Sequence, residues 1–232
     1  VIELAGLGVD EIQFDYVRYP AEGNLKHVAY HNVKKPEDKT AHLKRFLETS
    51  HLVVQGTGTR LAIDIFGVVA GGEDADVRST GQRISELAPH VDVISPMLYP
   101  SHFNAGFDGF SNPADQGFHF YNDGVRRMLE MSGGSSGPVI RPWVQAFKWR
   151  VTSYNELYVL DQIKGTNSGG GVGWMMWNAA NDYSVVYRAL TMKFPGEYKP
   201  PTGLLPGRKP GEGVKKPTAH PGVEEKTNLP AD

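Results

Sequence analysis

The sequence predicts an α/β fold, and more specifically a portion of a β/α barrel, from three observations. Five short apolar runs rich in β-branched and aromatic residues recur along the chain. Segments with helical spacing lie between them, and strands that alternate with helices are typical of a parallel sheet with helical crossovers. Polar or aromatic residues follow every run, as they do at the carboxyl ends of barrel strands.

The elements follow one another in a regular order. The predicted strands are "EIQFDYV" at 11–17, "RLAIDIF" at 60–66, "VDVISPMLY" at 91–99, "VIRPWVQAF" at 139–147 and "GVGWMMW" at 171–177. The predicted helices cover 36–55, 76–88, 116–131, 154–164 and 182–192. Pro36 and Asp182 suit helix starts, and Gly133 and Gly165 suit helix ends. The opening residues 1–10 look like the last turns of a helix that feeds the first strand.

A barrel explains the pattern better than a doubly wound open sheet. The open sheet predicts a glycine-rich turn directly after a strand, whereas the glycine-rich run "SGGGVGW" at 168–174 precedes one. A complete (β/α)8 TIM barrel takes about 250 residues, and five units fall three short of eight. We therefore expect an amino-terminally truncated portion of a TIM barrel that contains about the last five β/α units.

Composition divides the chain into two parts and excludes several classes of protein. Residues 1–196 have an ordinary globular composition and predict the barrel, whereas the Pro-, Lys- and Glu-rich residues 197–232 predict a disordered tail or linker. A net charge of -2 disfavours a nucleic-acid partner. The absence of cysteine excludes disulfides and thiolate metal sites. No apolar run reaches the roughly 20 residues of a membrane span.

Two aspartates stand out because they lie in strands that otherwise look buried. Asp15 shares a strand face with Gln13, and Asp64 shares one with Ala62 and Phe66. Both carboxylates should point into the barrel near the carboxyl ends of adjacent strands. Two carboxylates that face one cavity are what glycoside hydrolysis requires, with one ionised and the other protonated. Each aspartate could instead be a structural partner of an arginine or a backbone amide, although two at adjacent strand ends favour chemistry.

The other strand exits carry groups that suit sugar binding. Aromatic faces stack on sugar rings, and their rigidity limits the entropy lost on binding. We predict that the substrate-binding residues are Arg18, Tyr99, His102, Gln145, Trp149, Trp177 and Asn178. The loop histidines lack the helical spacing of a zinc-protease motif, so neither a metal nor a cofactor is predicted.

Five ordered motifs resemble a known family. "DEIQFDYVRYP", "LAIDIFG", "ISPMLYPSHF", "RPWVQAF" and "GWMMWNAANDY" are similar to successive motifs of the bacterial putative glycosyl hydrolase domain family of unknown function. The resemblance spans residues 1–192 and implies a TIM barrel, similar to those of the α-amylase type, that acts on a polysaccharide or oligosaccharide.

The resemblance also implies roles for the two aspartates. In α-amylase-like barrels a strand-four Asp is the nucleophile and a strand-five carboxylate is the acid/base, which places these roles on Asp15 and Asp64. The sequence departs from the α-amylase pattern in two ways. The strand-five residue is Asp where α-amylases use Glu, and Arg18 lies three residues after Asp15 and not shortly before it. We expect Arg18 to hold Asp15 ionised, and apolar neighbours to raise the pKa of Asp64.

The hypothesis is therefore a retaining glycoside hydrolase with a carbohydrate substrate. One alternative is a non-catalytic carbohydrate-binding barrel of the cell envelope. A second is a phosphate-handling barrel enzyme, which the sequence disfavours because it lacks a phosphate-binding glycine loop after the late strands. The polysaccharide interpretation and the linker-like tail together favour an extracellular or cell-envelope location.

Overall fold

The computed structural model describes residues 1–21 and 23–192 and shows a mixed α/β fold with a parallel sheet curled into a half-barrel. The strands are β1 (Glu11–Phe14), β2 (Arg60–Phe66), β3 (Val93–Met97), β4 (Val139–Ile140), β5 (Trp143–Gln145) and β6 (Met175–Trp177). They are ordered β1-β2-β3-β5-β6, with β4 also paired to β3. All pairs are parallel, which confirms the five strand predictions and the crossover topology.

Helices occupy the predicted intervals. They are α1 (Ile2–Gly6), α2 (Pro36–Val54), α3 (Asp74–Thr80), α4 (Ile84–Leu87), α5 (Gly117–Met131), α6 (Glu156–Ser168) and α7 (Ser184–Thr191). Helix α1 is the predicted helix end that feeds the first strand. The predicted domain boundary at 196 and the tail at 197–232 lie outside the described residues.

The fourth predicted strand is real but interrupted. Arg141 and Pro142 separate β4 from β5, and proline has no N–H to donate to a sheet ladder. The backbone N–H of Arg141 still donates to Ile94, at 2.9 Å, and the carbonyl of Pro142 accepts from Met175, also at 2.9 Å. The sheet is therefore continuous across the break.

The predicted helix at 76–88 is split by Gly81. This residue has a φ of 78°, which favours glycine, and a Cβ atom there would lie 2.9 Å from the Cβ of Lys39. The chain turns at Gly81 and sends the side chain of Gln82 into the interior, where it is fully buried. Helix α4 then begins three residues later.

The two faces of β2 have different surroundings, as the alternation predicts. Leu61, Ile63 and Ile65 are fully buried in the main hydrophobic core, which also includes Leu47 and Leu87 from the helix layer. The opposite face carries Ala62, Asp64 and Phe66, which point to the inside of the curled sheet. The helix layer thus covers one face of the sheet, and the site lies on the other face.

None of the helices in the described part of the chain has the length and apolar character needed to cross a membrane.

Candidate active site

A cleft of about 1020 Å³ lies at the carboxyl ends of the strands. It contains both predicted catalytic aspartates and five of the seven predicted binding residues; the lining includes Gln13, Asp15, Tyr16, Arg18, Asp64, Phe66, Gly67, Asp76, Met97, Tyr99, His102, Trp143, Phe147, Trp149 and Trp177. Gly67 is required at the exit of β2, because a Cβ atom there would lie 2.2 Å from the carbonyl oxygen of Met97. The remaining two predicted residues, Gln145 and Asn178, do not line it.

Asp64 lies inside β2 and is only 3 % exposed. Its Oδ1 accepts a hydrogen bond from Trp143 Nε1, at 2.8 Å, and another from Gln13 Nε2. Burial raises the pKa of Asp64, the hydrogen bonds from Trp143 and Gln13 lower it, and the neighbouring Asp15 adds a smaller upward contribution, so that the resulting pKa is about 6. The expectation that desolvation raises this pKa is confirmed.

Asp15 occupies a different environment at the end of β1. The strand ends at Phe14, and the exposed side chain of Asp15 accepts the backbone N–H of Tyr16 at 2.8 Å. Tyr16 has a φ of 54°, an uncommon conformation for an aromatic residue, and its side chain is 66 % exposed. The chain therefore turns sharply here and leaves the carboxylate of Asp15 at the surface of the cleft beside Asp64.

Arg18 lines the cleft but does not form the expected ion pair. Its guanidinium lies 4.5 Å from the ring centroid of Phe66 and 5.1 Å from that of Tyr16, and Nη1 donates to the carbonyl of Tyr19 at 3.3 Å. Among the ion pairs within 4 Å in the described residues, Arg18 takes part in none. That Arg18 holds Asp15 ionised stays a prediction, because the arginine lies against Phe66 and forms no ion pair within 4 Å with Asp15.

Tyr99 and His102 form an aromatic group on the wall opposite β1. Their rings lie 5.3 Å apart, and the ring of His102 is 5.1 Å from that of Trp149. Tyr99 is 8 % exposed, and burial raises the pKa of its hydroxyl far above the ordinary range, with further contributions from Asp64 and Asp15. The hydroxyl of Tyr99 is therefore a neutral hydrogen-bonding group close to both carboxylates.

Three tryptophans complete the wall of the cleft. Trp149 and Trp177 are 51 % and 46 % exposed, and exposed faces of this size are available for stacking. Trp177 meets Trp143 edge to face with ring centroids 6.2 Å apart. The predictions that Trp149 and Trp177 bind substrate stay predictions, and their positions in the cleft are compatible with them.

The side chains of Gln145 and Asn178 form hydrogen bonds with backbone groups. The side chain of Gln145 is fully buried, accepts from Ser101 N and donates to the carbonyl of Phe147. Asn178 is also buried, and its amide bonds the carbonyls of Ala146 and Asp182. Because their polar atoms hold loops at the strand exits, the structure does not bring these two residues to the substrate cleft.

Sequence reasoning did not assign roles to three polar contacts of Asp64. The sequence places Gln13 on a strand face and Trp143 at a strand exit. Their partner Asp64 is 51 and 79 positions away in sequence, so the hydrogen bonds could not be inferred. Gln82 accepts from Phe66 N at 2.9 Å and donates to the carbonyls of Val17 and Asp64. It therefore ties the exits of β1 and β2 together beneath the cleft.

A charged network lies on the inner face of the sheet below the cleft. Glu11 pairs with Arg141 and with Arg60, the latter at 3.4 Å. Arg141 also reaches the Oε1 of Gln13, at 3.5 Å. This contact favours the orientation of the Gln13 amide in which Nε2 points to Asp64.

One group outside the cleft has a geometry compatible with a metal ion. Ligand atoms of Asp108, His119 and Asp123 lie within 4.8 Å of one another. His119 Nε2 lies 3.1 Å from Asp108, and Asp123 is already paired with Arg126 and Arg127. Two arginines compete with a cation for Asp123, so this group is a poor metal site.

The cleft at the strand ends of the parallel half-barrel combines a buried carboxyl with a raised pKa, a second carboxylate and aromatic walls, which are features that glycoside hydrolysis uses. A family model matches residues 1–183, and the chain belongs to this family, which is described as Putative glycosyl hydrolase domain. No curated protein and no solved structure matches the chain. The family supports hydrolysis of glycosidic bonds in a carbohydrate as the reaction class.

Proposed function

We propose that the protein is a retaining glycoside hydrolase in which Asp15 is the nucleophile and Asp64 is the acid/base. The observation that carries the proposal is the pair of carboxylates in one cleft, Asp64 buried and Asp15 exposed, with burial raising the pKa of Asp64 to about 6. A general acid must hold a proton at working pH and must then be able to release it. Two carboxylates in unlike environments provide one acid and one ionised group.

The hydrogen bonds of Asp64 favour protonation on one particular oxygen. Both donors, Gln13 and Trp143, reach Oδ1. An oxygen that accepts two hydrogen bonds is a poor place for a proton, because a protonated oxygen is itself a donor. The acidic proton therefore belongs on Oδ2, which we assign to the glycosidic oxygen of the substrate.

The first step uses both aspartates. Asp15 attacks the anomeric carbon, the bond from that carbon to the leaving oxygen breaks, and the proton of Asp64 passes to that oxygen. In the second step the ionised Asp64 takes a proton from water, whose oxygen attacks the anomeric carbon and breaks the bond to Asp15. Both carboxyl groups return to their starting states, and the anomeric configuration is kept.

The position of the two carboxyl groups is the feature that supports retention over inversion. Asp15 and Asp64 line the same cleft at the carboxyl ends of two strands that pair directly with each other, which brings the two carboxyl groups to one place. Retaining enzymes have carboxyl groups about 5–5.5 Å apart, whereas inverting enzymes keep them roughly 6.5–9.5 Å apart to admit a water molecule. Exposed Trp149 and Trp177 supply stacking surfaces on the wall of the same cleft.

The test is release of reducing ends from a panel of polysaccharides by the wild-type protein, Asp15→Asn and Asp64→Asn. Loss of either carboxylate should lower the rate by about 10²–10⁴-fold or more on unactivated substrates. Asp161→Asn, an exposed substitution on α6, is the matched control and should keep the rate.

Aryl glycosides with good leaving groups distinguish the two roles. Their leaving oxygen needs no proton, so Asp64→Asn should form the glycosyl-enzyme at a near-normal rate, whereas Asp15→Asn should not. The first-formed anomer, followed by NMR, should have the configuration of the substrate. Binding of glycans without cleavage by any of the proteins would contradict the proposal and favour the carbohydrate-binding alternative.

A further inference from the structure

Arg18 has an unusual position among the arginines of this protein. It lines the cleft, and its guanidinium lies against Phe66, at 4.5 Å from the ring centroid, and Tyr16, at 5.1 Å. It is the only arginine or lysine among the described residues that line the cleft. A cation held in this way is fixed in direction, because two aromatic rings and the carbonyl of Tyr19 restrain it.

The charge of Arg18 is not paired with a carboxylate of the described chain. Six arginines of the described residues form ion pairs, for example Arg141 with Glu11 and Arg127 with Asp123. The described arginines without such a pair are Arg18, Arg45, Arg78 and Arg150, and of these Arg18 alone lines the cleft. No such pair within 4 Å involves Arg18, although Asp15, Asp64 and Asp76 line the same cleft. A guanidinium has five N–H donors, and one of those of Arg18 is used by Tyr19.

The contact of Arg18 with Phe66 places the guanidinium at the exit of β2, in the same cleft as both aspartates. Phe66 follows Asp64 by two residues on the same strand face, which corresponds to roughly 7 Å at about 3.3 Å per residue. Arg18, which packs on the Phe66 ring, is therefore held near the exit of β2, on the carboxyl-terminal side of the proposed acid/base. A group carried by a sugar at or next to the cleavage point would meet the guanidinium there.

We infer that Arg18 binds an anionic group of the substrate, and that the substrate is an acidic glycan. The inference rests on the proposed function for its assignment of the cleavage point. The fork of a guanidinium matches a carboxylate with two parallel hydrogen bonds, and it binds a sulfate ester through the same donors. Uronic acids and sulfated sugars are two common sources of such a group, and the experiment separates them.

The experiment compares binding of matched glycans to the full chain. Short oligomers of galacturonate, glucuronate and mannuronate are each paired with their carboxyl-reduced forms, and sulfated oligosaccharides are paired with their desulfated forms. Affinities are measured by calorimetry in the Asp15→Asn background, in which the ligand is not consumed. At least one acidic oligomer should bind about tenfold or more tightly than its neutral partner, the factor that 1.4 kcal/mol represents.

Arg18→Met is the informative variant, because methionine keeps an unbranched apolar stem against Phe66 and removes the charge. The preference for the acidic partner should disappear, and binding of the neutral partner should stay within about twofold. Arg18→Lys keeps the charge without the fork and should keep only part of the preference. Arg18→Lys also tests the inference if Arg18→Met does not fold. Arg45→Met, an exposed substitution on α2, is the control and should keep the full preference.

The outcomes separate this inference from the proposed function. Equal binding of every acidic oligomer and its neutral partner would overturn the inference, as would a preference that both Arg18 variants retain. Cleavage of a neutral polysaccharide that depends on Asp15, together with equal binding, would leave the hydrolase standing without an acidic substrate. An acid preference that depends on Arg18, without any cleavage, would support the inference and contradict the hydrolase.

Discussion

The ends of the neighbouring strands β1 and β2 each present an aspartate to the same cleft, yet the two residues have unlike surroundings. Asp64 lies within β2, between β1 and β3, and is almost completely buried. Asp15 follows β1, the first strand in the sheet order, and its carboxylate is exposed. The same residue type therefore has two environments, because Asp64 lies inside a strand whereas Asp15 lies beyond the end of one, at the turn of Tyr16.

The difference teaches how this fold can prepare two carboxylates for opposite roles. Two flanking strands remove water from Asp64, and removal of water favours the neutral form of the carboxyl group. The hydrogen bonds from Trp143 and Gln13 limit that effect, so the proton can still leave near neutral pH. Asp15, in contrast, is exposed to water and accepts a hydrogen bond from the backbone N–H of Tyr16. Four predictions test this comparison, from the largest expected effect to the smallest.

The largest effect should come from Asp64→Asn, which removes the buried charge. On unactivated substrates the rate should fall by about 10²–10⁴-fold. Stability should change in the opposite direction, because the folded-state pKa, about 6, exceeds the unfolded value near 3.8. The stability that Asp64 contributes is present below pH 3.8 and is lost as pH rises through about 6. At pH 8 the variant should thus unfold with a free energy about 2–3 kcal/mol higher than the wild type.

Denaturant titrations of the two proteins at pH 4 and pH 8 provide the measurement. The difference in unfolding free energy should be small at the lower pH and large at the higher one. A difference that is the same at both pH values would show that burial does not raise the pKa of Asp64. Asp161→Asn, which changes an exposed aspartate, should show no such dependence.

The second prediction concerns the pH dependence of activity. The proposed acid/base role requires Asp64 to be protonated in the free enzyme, so kcat/KM should fall above about pH 6, tenfold per pH unit. By pH 8 the loss should be about a hundredfold. A profile measured on one soluble oligosaccharide checks this, and a rate that stays constant up to pH 8 would exclude Asp64 as the general acid.

The third prediction concerns Gln82, which links the exits of β1 and β2. Gln82→Leu would leave the N–H of Phe66 and the carbonyls of Val17 and Asp64 without their partner. Buried polar groups without partners are costly, so the free energy of unfolding should fall by about 2 kcal/mol. The matched control is Gln55→Leu, in which the side chain is exposed beyond α2. Equal stability of the two variants would show that Gln82 does not hold the exits together.

The layered fold was predictable from sequence because it depends on local periodicity. Alternation within "RLAIDIF" separates the apolar face of β2 from the face with Asp64, and the structure has the same division. The signals for the two interruptions were also present, since Pro142 cannot donate to a ladder and Gly81 can adopt positive φ. Both residues lie inside longer periodic segments, whose pattern alone does not show where an element breaks.

The details of the cleft were harder to predict because they depend on contacts distant in sequence. A polar residue at a strand exit, such as Gln145 or Asn178, looks the same whether it faces substrate or fixes a loop. The spacing of Asp15 and Arg18 suggested an ion pair, but the turn at Tyr16 depends on backbone geometry that a sequence does not reveal. The same limit applies to Gln13, whose partner is 51 residues away.

The smallest expected effect, and the sharpest test of the comparison, comes from Trp143→Phe. The indole N–H stabilises the ionised form of Asp64, so its removal should raise the pKa of that carboxyl by about one unit. The decline in kcat/KM should move upward in pH by the same amount, while the phenyl ring keeps part of the packing against Trp177. Trp174→Phe is the control, because Trp174 packs in the core and not in the cleft.

The direction of this shift decides what keeps Asp64 protonated. An upward shift means that burial favours the neutral carboxyl and that the tryptophan moderates the effect, which places the working pKa under the control of a residue from another strand. A downward shift would mean that Trp143 acts mainly by excluding water, since loss of its bulk would then hydrate Asp64. In that case the position of β2 inside the sheet would not by itself distinguish Asp64 from Asp15.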